Sequence, residues 1–147
     1  MKKHLLLLLS IVGLMAGGCV KQTETVTPAA PDGTFTGQFL RYHRKLVNSA
    51  YQYDTLKTNV TVVLSSNGYT FKMTGDTTIH SGSNGTYVYD ANYIRFNDVL
   101  LPSNLTTEPK KPHLVGIYAY AYDGTNLIVE RTYQPDTLRF RYNLKRL

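Results

Sequence analysis

The chain has one cysteine, Cys19, and no tryptophan among its 147 residues. A single thiol excludes an internal disulfide and a thiolate-rich metal site, so the fold must be held by its core alone. Histidine is sparse too. His43, His80 and His113 lie in separate segments, with no His-x-His or His-Glu-x-x-His spacing. A metal would have to be assembled from distant strands, and lone histidines of this kind are expected at solvated strand ends or loops. No Ser, Cys or Lys stands in a nucleophile context, and no glycine-rich turn between strand and helix is present to cradle a phosphate. These absences point away from an enzyme, and neither a cofactor nor a metal is expected. Basic residues are scattered, with no run longer than a pair such as Lys110-Lys111. A nucleic-acid partner needs a concentrated basic stripe, so none is expected. After residue 33 no stretch shows a helical hydrophobic period.

What is present begins with a leader. Lys2 and Lys3 precede an almost wholly apolar stretch from Leu5 to Met15, and Ala16-Gly17-Gly18 supply the small residues a signal peptidase accepts. The apolar run is too short for a stable membrane-spanning helix. With Cys19 directly after it, the segment resembles a bacterial lipoprotein signal of the Bacteroidota type. That resemblance implies cleavage before Cys19, acylation of its thiol, and attachment to the outer membrane through the N-terminal lipid, on its periplasmic or surface face. Removing residues 1–18 leaves 129 residues with a formal charge of +4, since Lys2 and Lys3 go with the leader. Residues 19–32, with Pro28, Pro31, Thr and Gln and little to bury, read as a lipid-anchored flexible stalk.

From Gly33 onward the pattern has period two. Leu56, Val60, Val62 and Leu64 share one face of their run, opposite Lys57, Asn59 and Thr61. Tyr69, Phe71 and Met73 alternate with Thr70, Lys72 and Thr74, and Leu138, Phe140, Tyr142 and Leu144 alternate with Arg139, Arg141, Asn143 and Lys145. Such alternation marks antiparallel strands with one buried face. Turn signals separate the runs: Asn67-Gly68, Asn84-Gly85, Asp90-Ala91-Asn92, Asp123-Gly124 and Pro135-Asp136. The runs number about eight, at 34–46, 51–65, 68–74, 85–90, 93–99, 113–123, 126–133 and 136–146. Hairpin-short connections imply an all-β, up-and-down antiparallel meander over residues 33–147. Closure into a barrel removes the two exposed edges such a meander would have, whereas a β-sandwich is the alternative.

The first run carries Gly33-Thr34-Phe35 and Gly37-Gln38-Phe39, and the last is rich in Arg. Together with the meander, these features resemble the lipocalin-like (calycin) lipoproteins of Bacteroidota over residues 33–147. In that family a Trp on the first strand lies under an Arg from the last. The resemblance therefore implies Phe39 in the place of the Trp, with Arg139 or Arg141 packed over it, and a barrel that holds a small ligand.

Tyrosine supplies the most suggestive side chains. Tyr118, Tyr120 and Tyr122 share one face of a strand, opposite Ile117, Ala119 and Ala121, and Tyr87, Tyr89 and Tyr93 raise the same question. Either the alanines face a tight core and the tyrosines form an outer binding surface, or the tyrosines line the interior; a third reading is that Tyr simply suits a strand. The ligand or partner candidates are accordingly Tyr118, Tyr120, Tyr122, Tyr87, Tyr89, Arg139 and Arg141. Glu130 is positioned to pair across the sheet with Arg139 or Arg141. Asp76, Asp90, Asp123 and Asp136 fall in turn-like stretches where they bond nearby backbone. Leu100 to Pro112, with Pro102, Pro109 and Pro112, forms the longest connection. Matches to short glycosylation motifs at Asn59, Asn84, Asn104, Asp54, Asp76 and Asp136 arise readily in a Thr-rich chain. The expected function is a lipid-anchored envelope module binding a small apolar or amphipathic molecule. The alternative is an interaction or inhibitor module with a filled barrel and an envelope protein as partner.

Overall fold

A computed structural model describes residues 29–102, 110–133 and 137–147 of the chain. The leader and Cys19 lie outside the described residues, as does most of the expected stalk. Eight antiparallel strands form a closed barrel: β1 (Gly33–Val47), β2 (Ala50–Ser65), β3 (Thr70–Gly75), β4 (Ser83–Tyr89), β5 (Tyr93–Asp98), β6 (Gly116–Tyr122), β7 (Asn126–Tyr133) and β8 (Leu138–Arg146). Each strand pairs with its sequence neighbour, and β8 returns to β1 from Phe35↔Arg146 to His43↔Leu138. Each strand of the ring lies between two neighbours, with free edges kept by the projecting β1–β2 hairpin, so the closed barrel holds and the sandwich does not.

Period-two patterning places the core. Phe35, Phe39, Val60, Val62, Leu64, Phe71, Met73, Ile94, Phe96, Leu127, Val129, Phe140, Tyr142 and Leu144 point inward and are almost fully buried. Each such side chain contributes roughly 1.5–3 kcal/mol of transfer free energy. Outward positions carry Lys57, Asn59, Lys72, Arg95, Glu130 and Arg139, the polar face of a barrel surrounded by water. The exceptions to the expected pattern have geometric causes. Leu56 is 42% exposed because β1 and β2 outrun the barrel: β1 leaves β8 at His43, and the β1–β2 hairpin projects beyond. Its tip, Asn48-Ser49, has positive φ at both residues, the geometry whose twist suits a two-residue hairpin. Tyr69 belongs to the preceding turn rather than to a strand.

Three further boundaries shift. Asn84-Gly85 is not a turn but lies inside β4, where a side chain at Gly85 would meet the Asn97 carbonyl oxygen at 1.9 Å. The glycine is needed for close approach of two backbones, and the connection falls at 76–82 instead. β6 begins at Gly116 rather than at residue 113, because the Leu114 N–H donates to Ser83 Oγ (2.9 Å) instead of joining the ladder. Pro31 and Asp32 belong to the barrel rather than to the stalk. Tyr87 Oη donates to the Pro31 carbonyl (3.0 Å), and Asp32 accepts the Ser66 N–H (2.6 Å).

The two ends of the barrel differ. At one end the chain enters and the connections are tight: 66–69, 90–92 and 123–125. There Asp90 accepts the N–H groups of Asn92 and Tyr93, and Asp123 those of Thr125 and Asn126, as expected for turn aspartates. The opposite end gathers the β1–β2 hairpin, segment 76–82 and the long β5–β6 connection. Pro135-Asp136 and the centre of the Pro-rich connection lie outside the described residues.

Candidate functional site

The tyrosine question resolves in favour of the interior. Tyr118, Tyr120 and Tyr122 face inward with Tyr87 and Tyr89, whereas Ile117, Ala119 and Ala121 face solvent. Their hydroxyls are largely committed to closing the turn end. Tyr120 Oη donates to the Asp90 carbonyl (2.7 Å), Tyr122 Oη to that of Gly124 (3.0 Å), and Tyr87 Oη to Pro31. Tyr89 packs against Tyr69, Tyr87 and Tyr120. These rings form a plug rather than a pocket. Burial pushes the Tyr87 phenol up to about 12, so it remains a neutral donor to the chain entering the barrel.

Tyr118 and Tyr142 fill the centre, with ring centroids 6.0 Å apart. His80, expected in a solvated loop, is only 2% exposed: segment 76–82 folds over the barrel and drops the imidazole onto Phe39 at 4.5 Å between centroids. The Ser81 carbonyl can only accept, so His80 Nδ1 carries the proton. Nε2 is then the acceptor for Tyr142 Oη, at 2.6 Å. Burial lowers the imidazole to about 4, against the opposing effect of the Ser81 carbonyl, so the ring is neutral at pH 7. His80 therefore acts as a stopper over Phe39.

Arg139 and Arg141 are not over Phe39. Both point outward, where Arg141 Nη1 meets Glu130 Oε2 at 3.1 Å and Arg139 Nη1 meets Oε1 at 3.9 Å, and Arg139 also stacks on Tyr42. The expected Glu130 pairing is present, and the expected Phe39–Arg contact is replaced by His80, Tyr142 and Phe140. The reason is parity. Arg139 and Arg141 alternate with inward Phe140 and Tyr142, which pair with Arg41 and Phe39 of β1.

The mouth end holds a cleft of about 270 Å³ lined by Arg41, Lys110, Lys111, Pro112, His113, Val115, Arg131, Tyr133, Leu138 and Phe140. Arg41 and Arg131 reach it because they occupy inward positions, one step beyond Phe39 on β1 and Val129 on β7. Arg131 Nη1 donates to the Val115 carbonyl (3.1 Å) and its guanidinium lies over the Tyr133 ring at 4.3 Å. Gly116, at φ +93°, makes room: a side chain there would meet Arg131 Nη1 at 2.3 Å. The rim is cross-tied. Ser81 N–H donates to the Pro112 carbonyl (2.9 Å), Lys111 Nζ to the Thr77 carbonyl, and His113 Nδ1 meets Asp98 Oδ2 at 2.8 Å. Burial raises the Asp98 carboxyl, but hydrogen bonds from Leu100, Asn84, His113 and Ser83 outweigh it and hold the group ionised.

None of the seven sequence candidates lines this cleft. The residues that do carried two signals: basic side chains on otherwise apolar strand faces, at Arg41 and Arg131, and a Lys pair in the longest connection. An outer groove of about 450 Å³ over Gly37 and Gly75 is larger, but it is open and lined by Thr36, Gln38, Asn59 and Thr61 without an aromatic wall. Among the described residues no three His, Cys, Asp or Glu side chains come together as a metal site. Comparison of the chain with protein-family models, with curated proteins and with solved structures gave no match.

Proposed function

We propose that this protein is a lipid-anchored lipoprotein of the cell envelope, tethered to the outer membrane through Cys19, whose barrel binds a small amphipathic molecule at its mouth without catalysing a reaction. The observation that carries this reading is the mouth cleft, where Tyr133, Leu138 and Phe140 provide an apolar wall beside basic side chains. The barrel centre is occupied by Tyr118, Tyr142, Phe39 and His80, so the ligand is held at the rim rather than swallowed. The closed eight-stranded meander is the architecture that the resemblance implies, and the cleft lies away from Tyr118, Tyr120, Tyr122, Tyr87 and Tyr89. The chain enters the barrel at the end opposite this mouth.

The test is mass spectrometry of the full chain purified from the membranes of its own host. A mature mass beginning at an acylated Cys19, and a small molecule released on denaturation, are expected. A Cys19→Ala chain should leave the membrane fraction. An unacylated chain that remains in the soluble fraction would overturn the anchor. A barrel that carries no molecule and binds no amphipathic probe would overturn the binding reading and favour the filled interaction module.

A further inference from the structure

We propose that the mouth selects anionic amphiphiles: a carboxylate, sulfonate or phosphate group joined to an aromatic or short apolar body, taken from solution. The inference rests on the binding reading above and specifies its ligand. Of the ten residues lining the cleft, four are Arg or Lys, His113 is paired with Asp98, and none is acidic. The nearby carboxylates stand outside the lining, and only Asp98 pairs with a cleft residue, His113. Asp98 accepts from Asn84, Leu100 and His113, Glu130 lies outside with Arg139 and Arg141, and Asp54 holds Lys45 at 3.0 Å. The lining therefore carries an excess of positive charge, which an anionic guest complements.

The geometry gives each part of the ligand a place. The guanidinium of Arg131 has its plane fixed by Tyr133 and one N–H spent on Val115. A guanidinium carries five N–H donors, so others remain for an oxyanion, and a fixed fork loses little freedom on binding it. Arg41 contributes from β1, and Lys110 and Lys111 from the rim. Leu138, Phe140 and Tyr133 receive the apolar body. The chain enters β1 at the turn end, opposite the mouth, and this favours a dissolved ligand over a membrane headgroup.

Two fluorescent probes test this: 8-anilinonaphthalene-1-sulfonate and N-phenyl-1-naphthylamine, which share an apolar body and differ by the sulfonate. Both are titrated into the full chain carrying Cys19→Ala, which needs no detergent. The sulfonate should bind one per chain and about tenfold more tightly, as expected of one or two charge-assisted hydrogen bonds. Arg41→Gln, and separately Lys110→Gln with Lys111→Gln, should each cut that preference several-fold, by weakening the sulfonate more than the uncharged probe. Arg131→Gln should do the same, but Arg131 also holds Val115 and Tyr133 and Lys111 also holds the Thr77 carbonyl, so Arg41→Gln decides. Equal affinity for both probes, or a preference that survives these variants, would overturn anion selection while leaving a binding site standing. Saturable binding of neither probe would overturn the binding reading as well. Displacement of the sulfonate by phosphatidylglycerol vesicles, but not by phosphatidylcholine vesicles, would place the anion in the membrane and overturn the dissolved ligand.

Discussion

Acidification from pH 7 to pH 4 should cost the barrel about 3 kcal/mol through His80. An imidazole titrates near 6.5 in the unfolded chain and at about 4 inside the barrel, chiefly because burial penalises its charge. Between these values the unfolded state holds the extra proton and the folded state does not. Stability is therefore complete above pH 6.5 and falls as pH drops towards 4. At ~1.4 kcal/mol per tenfold in proton affinity, the gap gives the figure above, a large share of the ~5–15 kcal/mol typical of a domain. The groups around the ring set this outcome: Tyr142 donates to it, Ser81 accepts from it, His113 disfavours its charge and Asp98 favours it. Urea midpoints followed by far-ultraviolet circular dichroism at several pH values between 7 and 4 measure the effect. Replacing the pair together, His80→Phe with Tyr142→Phe, should flatten the profile between pH 6.5 and 4. A wild-type profile that is already flat there, or a double variant with an unchanged slope, would refute the reasoning. Asp123, held at about 2 by Asn126 and Thr125, and Asp90, held low by Asn92 and Tyr93, act in a separate window. Their contribution is lost only as pH falls below about 4.

The same urea assay separates the two central tyrosines. Tyr142→Phe strips His80 Nε2 of its donor and should cost about 1–3 kcal/mol, whereas Tyr118→Phe removes a buried hydroxyl with no well-formed hydrogen bond and should change stability by under about 1 kcal/mol. Gly85→Ala should cost about 3 kcal/mol, because its new methyl meets the Asn97 carbonyl, a backbone atom that cannot rotate away; an unchanged midpoint would contradict the close approach.

Much of the fold is legible in the sequence because alternation and turn chemistry are local. Leu138, Phe140, Tyr142 and Leu144 all point inward, and the Asp90 and Asp123 turns stand where those residues place them. Asn84-Gly85 reads as a turn only in isolation. In the barrel Asp98 accepts the Asn84 N–H, and Gly85 pairs across to Asp98 itself, so tertiary pairing overrides the local signal. His80 offers no sequence clue to its burial. Nothing near it is apolar on a regular period, and its place depends on Phe39 and Tyr142, far away in the chain. The site follows the same division. Tyr118, Tyr120 and Tyr122 are conspicuous as a stripe, yet their hydroxyls serve the closed end. Arg41 and Arg131 carry the stronger signal, since a cation on a core-facing parity has to be answered by a rim, a partner or a ligand.

Backbone amide shifts of the isotope-labelled full chain, recorded while the sulfonate probe is added, test the mouth most directly. Changes are expected at Arg41, Lys111, Arg131, Tyr133, Leu138 and Phe140, with Tyr87, Tyr120 and Tyr122 at the turn end unmoved. Changes centred on those tyrosines, or on the outer groove at Gly37 and Gly75, would contradict the assignment of the site to the barrel mouth.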